Sequence, residues 1–284
     1  MEIGTKRLKT LKPEHIEDAF ARLAEHGHGD QPTPMSRGSL VKIRSVLGKT
    51  LAYAERRQLV SRNVARVVEL PAAARRSQPG RALTIDQART LLSSIEGDRL
   101  EALWRLMLML GLRPGEATGL SWPDIDLTGS IVNIRRSLKI HNGQLVITEK
   151  LKTTRSRRSL DAPEPVIDGL QAHRHRQIAE RRKVGPLWSN PDDLVFTTTV
   201  GSPINPANLR RQFGRITESA DLGRWHPHEL RHSAASLLSA AGVPLEEVAD
   251  VLGHDGTRMT ALVYRHATTP TVKAARVMGD ILAE

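Results

Sequence analysis

The chain has 284 residues, no cysteine, and 42 Lys/Arg against 31 Asp/Glu, a formal charge of +11. Without cysteine there are no disulfides, thiolate nucleophiles or cysteine zinc sites. No apolar run approaches the ~20 residues needed to cross a bilayer, and residues 1–20 carry Lys6, Lys9, Glu14, Glu17 and Asp18, so no secretory signal is read there. A cytoplasmic protein without membrane contact is expected, with an anionic partner, nucleic acid first.

The charge is uneven. Residues 1–82 hold 16 Lys/Arg and 8 Asp/Glu, whereas residues 83–284 hold 26 and 23. Concentrated charge costs stability through self-repulsion. The first region is therefore either a solvated helical surface or a module that neutralises phosphates. Within it, Lys12 to His26 reads as a helix with Ile16, Ala19, Phe20 and Leu23 on one face. Gly27 to Pro34 reads as a loop. A long helix is expected from Ser36 to Arg57, with a stripe of Leu40, Ile43, Val46, Leu47 and Leu51. Arg37, Lys42, Arg44 and Lys49 lie largely off that stripe, and Tyr53 reads as core or rim. A short element near Asn63–Val68 follows. Pro71 to Arg81, with two prolines, a glycine and three arginines, reads as a basic linker.

The second region mixes helices with a few strands. Thr84 suits the N-cap of a helix over Ile85–Ile95. Leu100–Leu110 reads as a buried helix, broken by Gly111-Leu-Arg-Pro-Gly-Glu116, with Pro114 in the first turn of the next helix. Ile131–Arg135, Leu145–Glu149 and Arg157–Asp161 read as strands, the first two joined through the His141-Asn-Gly143 turn. Helices follow over Pro165–Arg182, Pro206–Ala220, His228–Ala241, Pro244–Leu252, Arg258–Tyr264 and Thr271–Leu282. The expected class is mainly α with a small antiparallel β-sheet.

Several polar residues stand where chemistry is plausible. Arg113 sits at a joint after a buried helix; it either serves a site or pairs with Glu116 or Asp124. His228 and Arg231 share a face at a helix start, where free N–H groups attract anions; capping and packing is the plainer alternative. His226, His228 and His232 lack the carboxylate or cysteine partners of usual zinc sets, so no metal is expected. His173 and His175 read as solvated. Lys150, Lys152, Arg155, Arg157 and Arg158 place five cations in nine residues. They form either a solvated hairpin or one crossing a phosphate backbone, with Lys152 directed into a cleft. Tyr264, one of two tyrosines, gains meaning only from the set around it.

The stretches Gly111-Leu-Arg-Pro-Gly-Glu116, Leu151-Lys-Thr153, His226-Pro-His-Glu-Leu-Arg-His232 and Leu252-Gly-His254, followed by Tyr264, closely resemble the tyrosine recombinase (phage integrase) family. Each stretch alone is weak, whereas six positions in the family's order are specific. The resemblance covers residues 3–284, and an N-terminally short form is expected, because the family's usual further helix before the segment resembling Ile3–Phe20, and the arm-binding domain many members carry before it, do not fit ahead of Met1. It implies a partial helical core-binding domain over 1–70, a basic linker over 71–82 and a catalytic domain over 83–284. Arg37, Lys42, Arg44, Lys49, Arg75, Arg76 and Arg155 are the expected DNA contacts.

The resemblance also implies a mechanism. Tyr264 is the nucleophile, and with a reference pKa near 10 only on the order of 0.1% is ionised at pH 7. Cationic neighbours would favour phenolate, and a neutral His228 would accept its proton. Arg113, Arg231 and His254 would bind the non-bridging oxygens, Lys152 would protonate the departing 5′ oxygen, and Glu116 would support the site without touching substrate. The product is a 3′-phosphotyrosyl intermediate, formed without ATP, metal or other cofactor. Double-stranded DNA is the implied partner, with a homotetramer on DNA, a monomer when free, and accessory DNA-bending proteins. Thr271–Leu282, with a stripe of Val272, Ala275, Met278 and Leu282, would dock on a neighbouring protomer or pack on its own domain. The alternatives are a catalytically silent DNA-binding relative and a type IB topoisomerase.

Overall fold

The computed structural model describes residues 3–28, 33–72, 74, 80–149 and 157–253. The chain divides into two compact units, Met1–Pro79 and Gly80–Glu284. The described residues form nine α-helices and five strands. Among them no helix is long and apolar enough to cross a membrane.

In the first unit, α1 spans Pro13–His26 and α2 spans Arg37–Arg56. Pro13 opens α1 at a position that needs no N–H donor. The Ser36 hydroxyl caps α2 by accepting from the Ser39 N–H at 3.3 Å. Ile16, Phe20, Leu40, Leu51, Val64 and Val68 form the core, with Leu23, Ile43 and Leu47 at its edge. Val46, expected in the α2 stripe, is instead 65% exposed. At 100° per residue it falls about 100° from Leu47, outside the arc that faces α1. Tyr53 is exposed as well, with the Arg57 guanidinium 5.5 Å from its ring centre. The expected element after α2 is a single 3-10 turn, Val64–Arg66. Buried Asn63 anchors it: its side-chain amide donates to the Gly48 carbonyl, and its oxygen accepts from the Ala65 N–H.

The second unit is built around α4, Glu101–Met109, where Leu103, Trp104, Leu106 and Met107 are fully enclosed. Trp104 meets Phe213 at 4.8 Å between ring centres. Around it lie α3 (Ile85–Ser94), α6 (Glu164–Val184), α7 (Pro206–Ser219) and α8 (Pro227–Ala240). The short α5 (Pro114–Thr118) follows α4, and α9 (Leu245–Leu252) packs on α8 through Ala234, Ala235, Val248 and Leu252. Thr84 and Gln87 close a reciprocal cap at the start of α3, as expected.

The strands are paired differently from expectation. β1 (Ile125–Asp126), β2 (Ile131–Ile134) and β5 (Arg158–Asp161) form one antiparallel sheet in the order β1-β2-β5, with Val132 opposite Leu160. β3 (Ser137–His141) and β4 (Gln144–Thr148) form a separate hairpin in which His141 faces Gln144. The partner of 145–149 across the His141-Asn-Gly143 turn is thus β3, not Ile131–Arg135. Asn142 and Gly143 both take positive φ, 48° and 79°. Such a two-residue turn pairs only the residues that directly flank it. Gly119 lets α5 approach this hairpin, since a Cβ there would lie 2.7 Å from the Leu138 nitrogen.

His173, expected to be solvated, is buried, whereas His175 is exposed. It continues the inner face of α6 through Val166, Leu170 and Gln177 at helical spacing. Its Nε2 lies 2.8 Å from the Val195 carbonyl, and burial holds its pKa below the ordinary histidine value.

Candidate active site

Arg113 occupies the N-cap position of α5, in extended backbone, where Pro114 prevents the preceding helix from continuing. Three residues on, buried Glu116 turns back toward it. The Arg113 N–H donates to Glu116 Oε2 at 3.1 Å, and Arg113 Nη1 donates to Oε1 at 2.6 Å. Of the two partners considered for Arg113, Glu116 is the one it meets. Buried Asp124 instead accepts from the Ser121 hydroxyl and lies within 4 Å of the Arg135 and Arg136 guanidinium groups.

A third residue joins this pair. Arg158 Nη2 donates to Glu116 Oε2 at 3.1 Å, and its Nε donates to the Val251 carbonyl at 2.7 Å. Its side chain is only 7% exposed. In the sequence this arginine is one of five cations over 150–158 and does not stand apart from them. The strand's period of two was the available signal: Arg158 and Leu160 share a face, and Leu160 is buried. Arg113 reaches the same end of α9, its Nη2 donating to the Gly253 carbonyl at 3.3 Å.

Arg231 enters from α8. It is buried, and its Nη1 donates to the Gly111 carbonyl at 2.8 Å. Gly111 has φ +62°, a conformation that favours glycine. Arg231 Nη2 is buried and has no hydrogen-bond partner among the described residues. Burial, then the charges of Arg113 and Arg158, push the Arg231 pKa down to about 9, with Glu116 acting the other way. It remains charged at neutral pH. For Glu116, burial pushes the pKa up, but Arg158 and Arg113 outweigh it and hold it below the ordinary carboxylate value.

His228 lies three residues before Arg231. Partial burial, then His232, Arg231 and Arg113, push its pKa down to about 4. It is therefore neutral near pH 7 and can accept a proton. Its ring meets that of His232 edge-on at 5.1 Å. Among the described residues no cluster of three His, Cys, Asp or Glu could hold a metal ion.

The structure therefore brings together Arg113, Glu116, Arg231 and His228, and adds Arg158. Lys152, His254 and Tyr264 lie outside the described residues, as do Arg75, Arg76, Arg155 and the expected helices over Arg258–Tyr264 and Thr271–Leu282. In the first unit, Lys42 and Lys49 are exposed on α2. Arg37 is exposed as well and Arg44 is half-buried; each donates one guanidinium nitrogen to a backbone carbonyl, of Pro71 and Val68, both at 3.3 Å.

The sequence pattern of the phage integrase family matches residues 81–270. The integrase of Streptomyces ambofaciens is 33% identical over 293 residues, covering 98% of this chain and 70% of that protein. A protein named tyrosine recombinase XerC-like, from Caldanaerobacter subterraneus subsp. tengcongensis, is 33% identical over 191 residues, covering 64% of this chain and 49% of that protein. This chain thus spans between about half and about 70% of the length of these two relatives. Among solved structures, the Tn1549 transposon integrase in complex with transposon right end DNA has the same fold, with a TM-score of 0.78 at 22% identity, covering 100% of this chain and 89% of that one. These relatives define an enzyme of the tyrosine recombinase class. The chain belongs to the phage integrase family.

Proposed function

We propose that this protein is a site-specific DNA recombinase that cleaves and rejoins strands through a 3′-phosphotyrosyl bond at Tyr264, serving integration or excision of a phage or mobile element. The observation that carries the reading is the meeting of two guanidinium groups, Arg113 and Arg158, on the buried Glu116 carboxylate, with buried Arg231 close enough to feel their charges and a neutral histidine three residues before it. A phosphodiester repels nucleophiles by its own charge, and its transition state concentrates more charge on the non-bridging oxygens. Cations fixed in a desolvated pocket stabilise that charge without reorganising. Arg231, with a buried Nη2 still unpartnered among the described residues, supplies such a donor.

In the proposed reaction Tyr264 loses its phenolic proton to neutral His228, and its oxygen bonds to phosphorus. Arg113, Arg231 and His254 hold the non-bridging oxygens. The bond from phosphorus to the 5′ oxygen breaks, and Lys152 protonates the leaving oxygen. A 5′-hydroxyl from a second strand then attacks the phosphotyrosine and restores the phenol. One phosphodiester is exchanged for another, so the cycle as written consumes no ATP and includes no metal. Residues 1–70 act as a core-binding module, 71–82 as its linker and 83–284 as the catalytic domain. Lys42, Lys49, Arg75, Arg76 and Arg155 contact phosphate, and the protein works in the cytoplasm as a tetramer on DNA, with accessory DNA-bending proteins.

The test starts from a library of nicked duplexes with randomised cores. A nick beside the scissile phosphate lets the short 5′-hydroxyl strand diffuse away, so a covalent adduct accumulates and its sequence can be recovered. An adduct mapped to Tyr264 and absent in Tyr264→Phe is expected. Binding without any adduct would make the protein a silent relative. Adduct formation with duplex relaxation but no exchange between duplexes would make it a topoisomerase.

A further inference from the structure

Arg158 has no role in the reaction just described, yet it is the most enclosed ion-pair partner of Glu116. Its position makes it a junction of three segments. It is the first residue of β5. Through Nη2 it holds the Glu116 oxygen that also accepts the Arg113 N–H. Through Nε it holds the Val251 carbonyl, three residues before His254. Arg113 holds the Gly253 carbonyl beside it.

A planar guanidinium can make both bonds at once in a fixed fork, whereas a lysine ammonium offers a point charge without that geometry. Glu116, shared between two guanidinium groups, orients both; losing one leaves the carboxylate free to turn toward the other. Arg158 commits its Nη2 to the Glu116 carboxylate and its Nε to the Val251 carbonyl, so this fork serves the protein's own groups.

We propose that Arg158 is a positioning residue for strand cleavage: it acts through Glu116 on the Arg113 fork, and through the Val251 carbonyl on the end of α9 that Arg113 also holds at Gly253. The inference rests on the recombinase reading above. A misplacement of about 1 Å in a catalytic group costs on the order of a hundredfold in rate, which sets the expected scale.

The experiment uses the full chain and a nicked duplex recovered from the randomised library. Arg158→Met, Arg158→Lys, Glu116→Gln and the double variant Arg158→Met/Glu116→Gln are compared with the parent by single-turnover adduct formation, duplex binding and thermal melting. Arg158→Met is expected to bind the duplex within about twofold of the parent but to cleave about a hundredfold more slowly. Arg158→Lys is expected to recover only part of that loss. The double variant should cleave about as slowly as the slower of its two single variants, because residues acting as one unit are non-additive. Without Arg158, Glu116 takes a proton more readily, so the variant's cleavage should fall more steeply as pH drops.

Parent-like cleavage and pH profile in Arg158→Met would overturn the proposal. So would losses in binding and melting that account for the whole loss of rate, or full recovery by lysine. If Arg158→Met does not fold, Arg158→Lys decides alone: slow cleavage with normal binding supports the proposal, and parent-like cleavage ends it. Failure of the parent itself to form an adduct would strike the recombinase reading, an outcome distinct from all of these.

Discussion

Arg231 commits one guanidinium nitrogen to the Gly111 carbonyl and leaves another buried without a partner among the described residues. A buried donor without a partner costs stability, and an anion removes that cost. Arg231→Ala is accordingly expected to slow adduct formation about a hundredfold or more in single-turnover assays. His228 gives a pH prediction. Its folded-state pKa, pushed down to about 4, lies below the reference value near 6.5. Between those values the unfolded chain holds the proton and the folded one does not, so stability falls as pH drops from about 6.5 toward 4 and levels off below. His228→Gln should flatten part of that slope in melting curves recorded across this range. It flattens only part, because burial lowers His173 and His232 in the same direction. For the same reason, cleavage by the parent should not lose rate to His228 protonation until well below pH 6.

At the scale of elements, the site depends on how tightly two short pieces approach one another. Gly119 lies so close to β3 that a Cβ would meet the Leu138 nitrogen at 2.7 Å and the Ser137 Cα at 2.8 Å. Both are backbone atoms, which cannot swing aside. Gly119→Ala is therefore expected to destabilise by about 1–3 kcal/mol and to slow cleavage, since α5 carries Glu116. Trp104 is the largest enclosed side chain of the second unit. Trp104→Ala should cost about 3–5 kcal/mol, measured by denaturant unfolding followed by a probe in that unit. These elements were also legible in part. Period 3.6 exposes α1 directly, and the nearly unbroken apolar run of Leu100–Leu110 marks α4. The hairpin's first strand is not legible, because Leu138 and Ile140 in β3 give too short an alternation to announce a strand, and Ile140 is exposed.

At the scale of the whole molecule, charge sets the behaviour. Sixteen basic residues against eight acidic ones in the first 82 predict binding that weakens steeply with salt, because each neutralised phosphate releases counterions. Lys42→Ala and Lys49→Ala, both on the exposed face of α2, should each reduce the slope of log affinity against log salt by about 1 and weaken binding on all sequences alike. Arg44→Ala should behave differently. Its guanidinium holds the Val68 carbonyl, so its loss should show first as a lower melting temperature.

The residue types of the site, their order and the family they belong to were written in the sequence, because chemistry demands particular side chains and punctuation by proline and glycine marks where the chain turns. Gly111, Pro114 and the His228–Arg231 spacing could be read without any fold. What only the tertiary structure decided was which charges meet. Arg113 and Glu116 are near neighbours in the chain, but Arg158 lies 42 residues beyond Glu116 and 93 before the Val251 carbonyl it holds. Arg231 lies 120 residues beyond the Gly111 carbonyl. Local periodicity carries no information about such partners. Burial and strand register select them, by enclosing Arg158 while its neighbour Arg157 stays exposed.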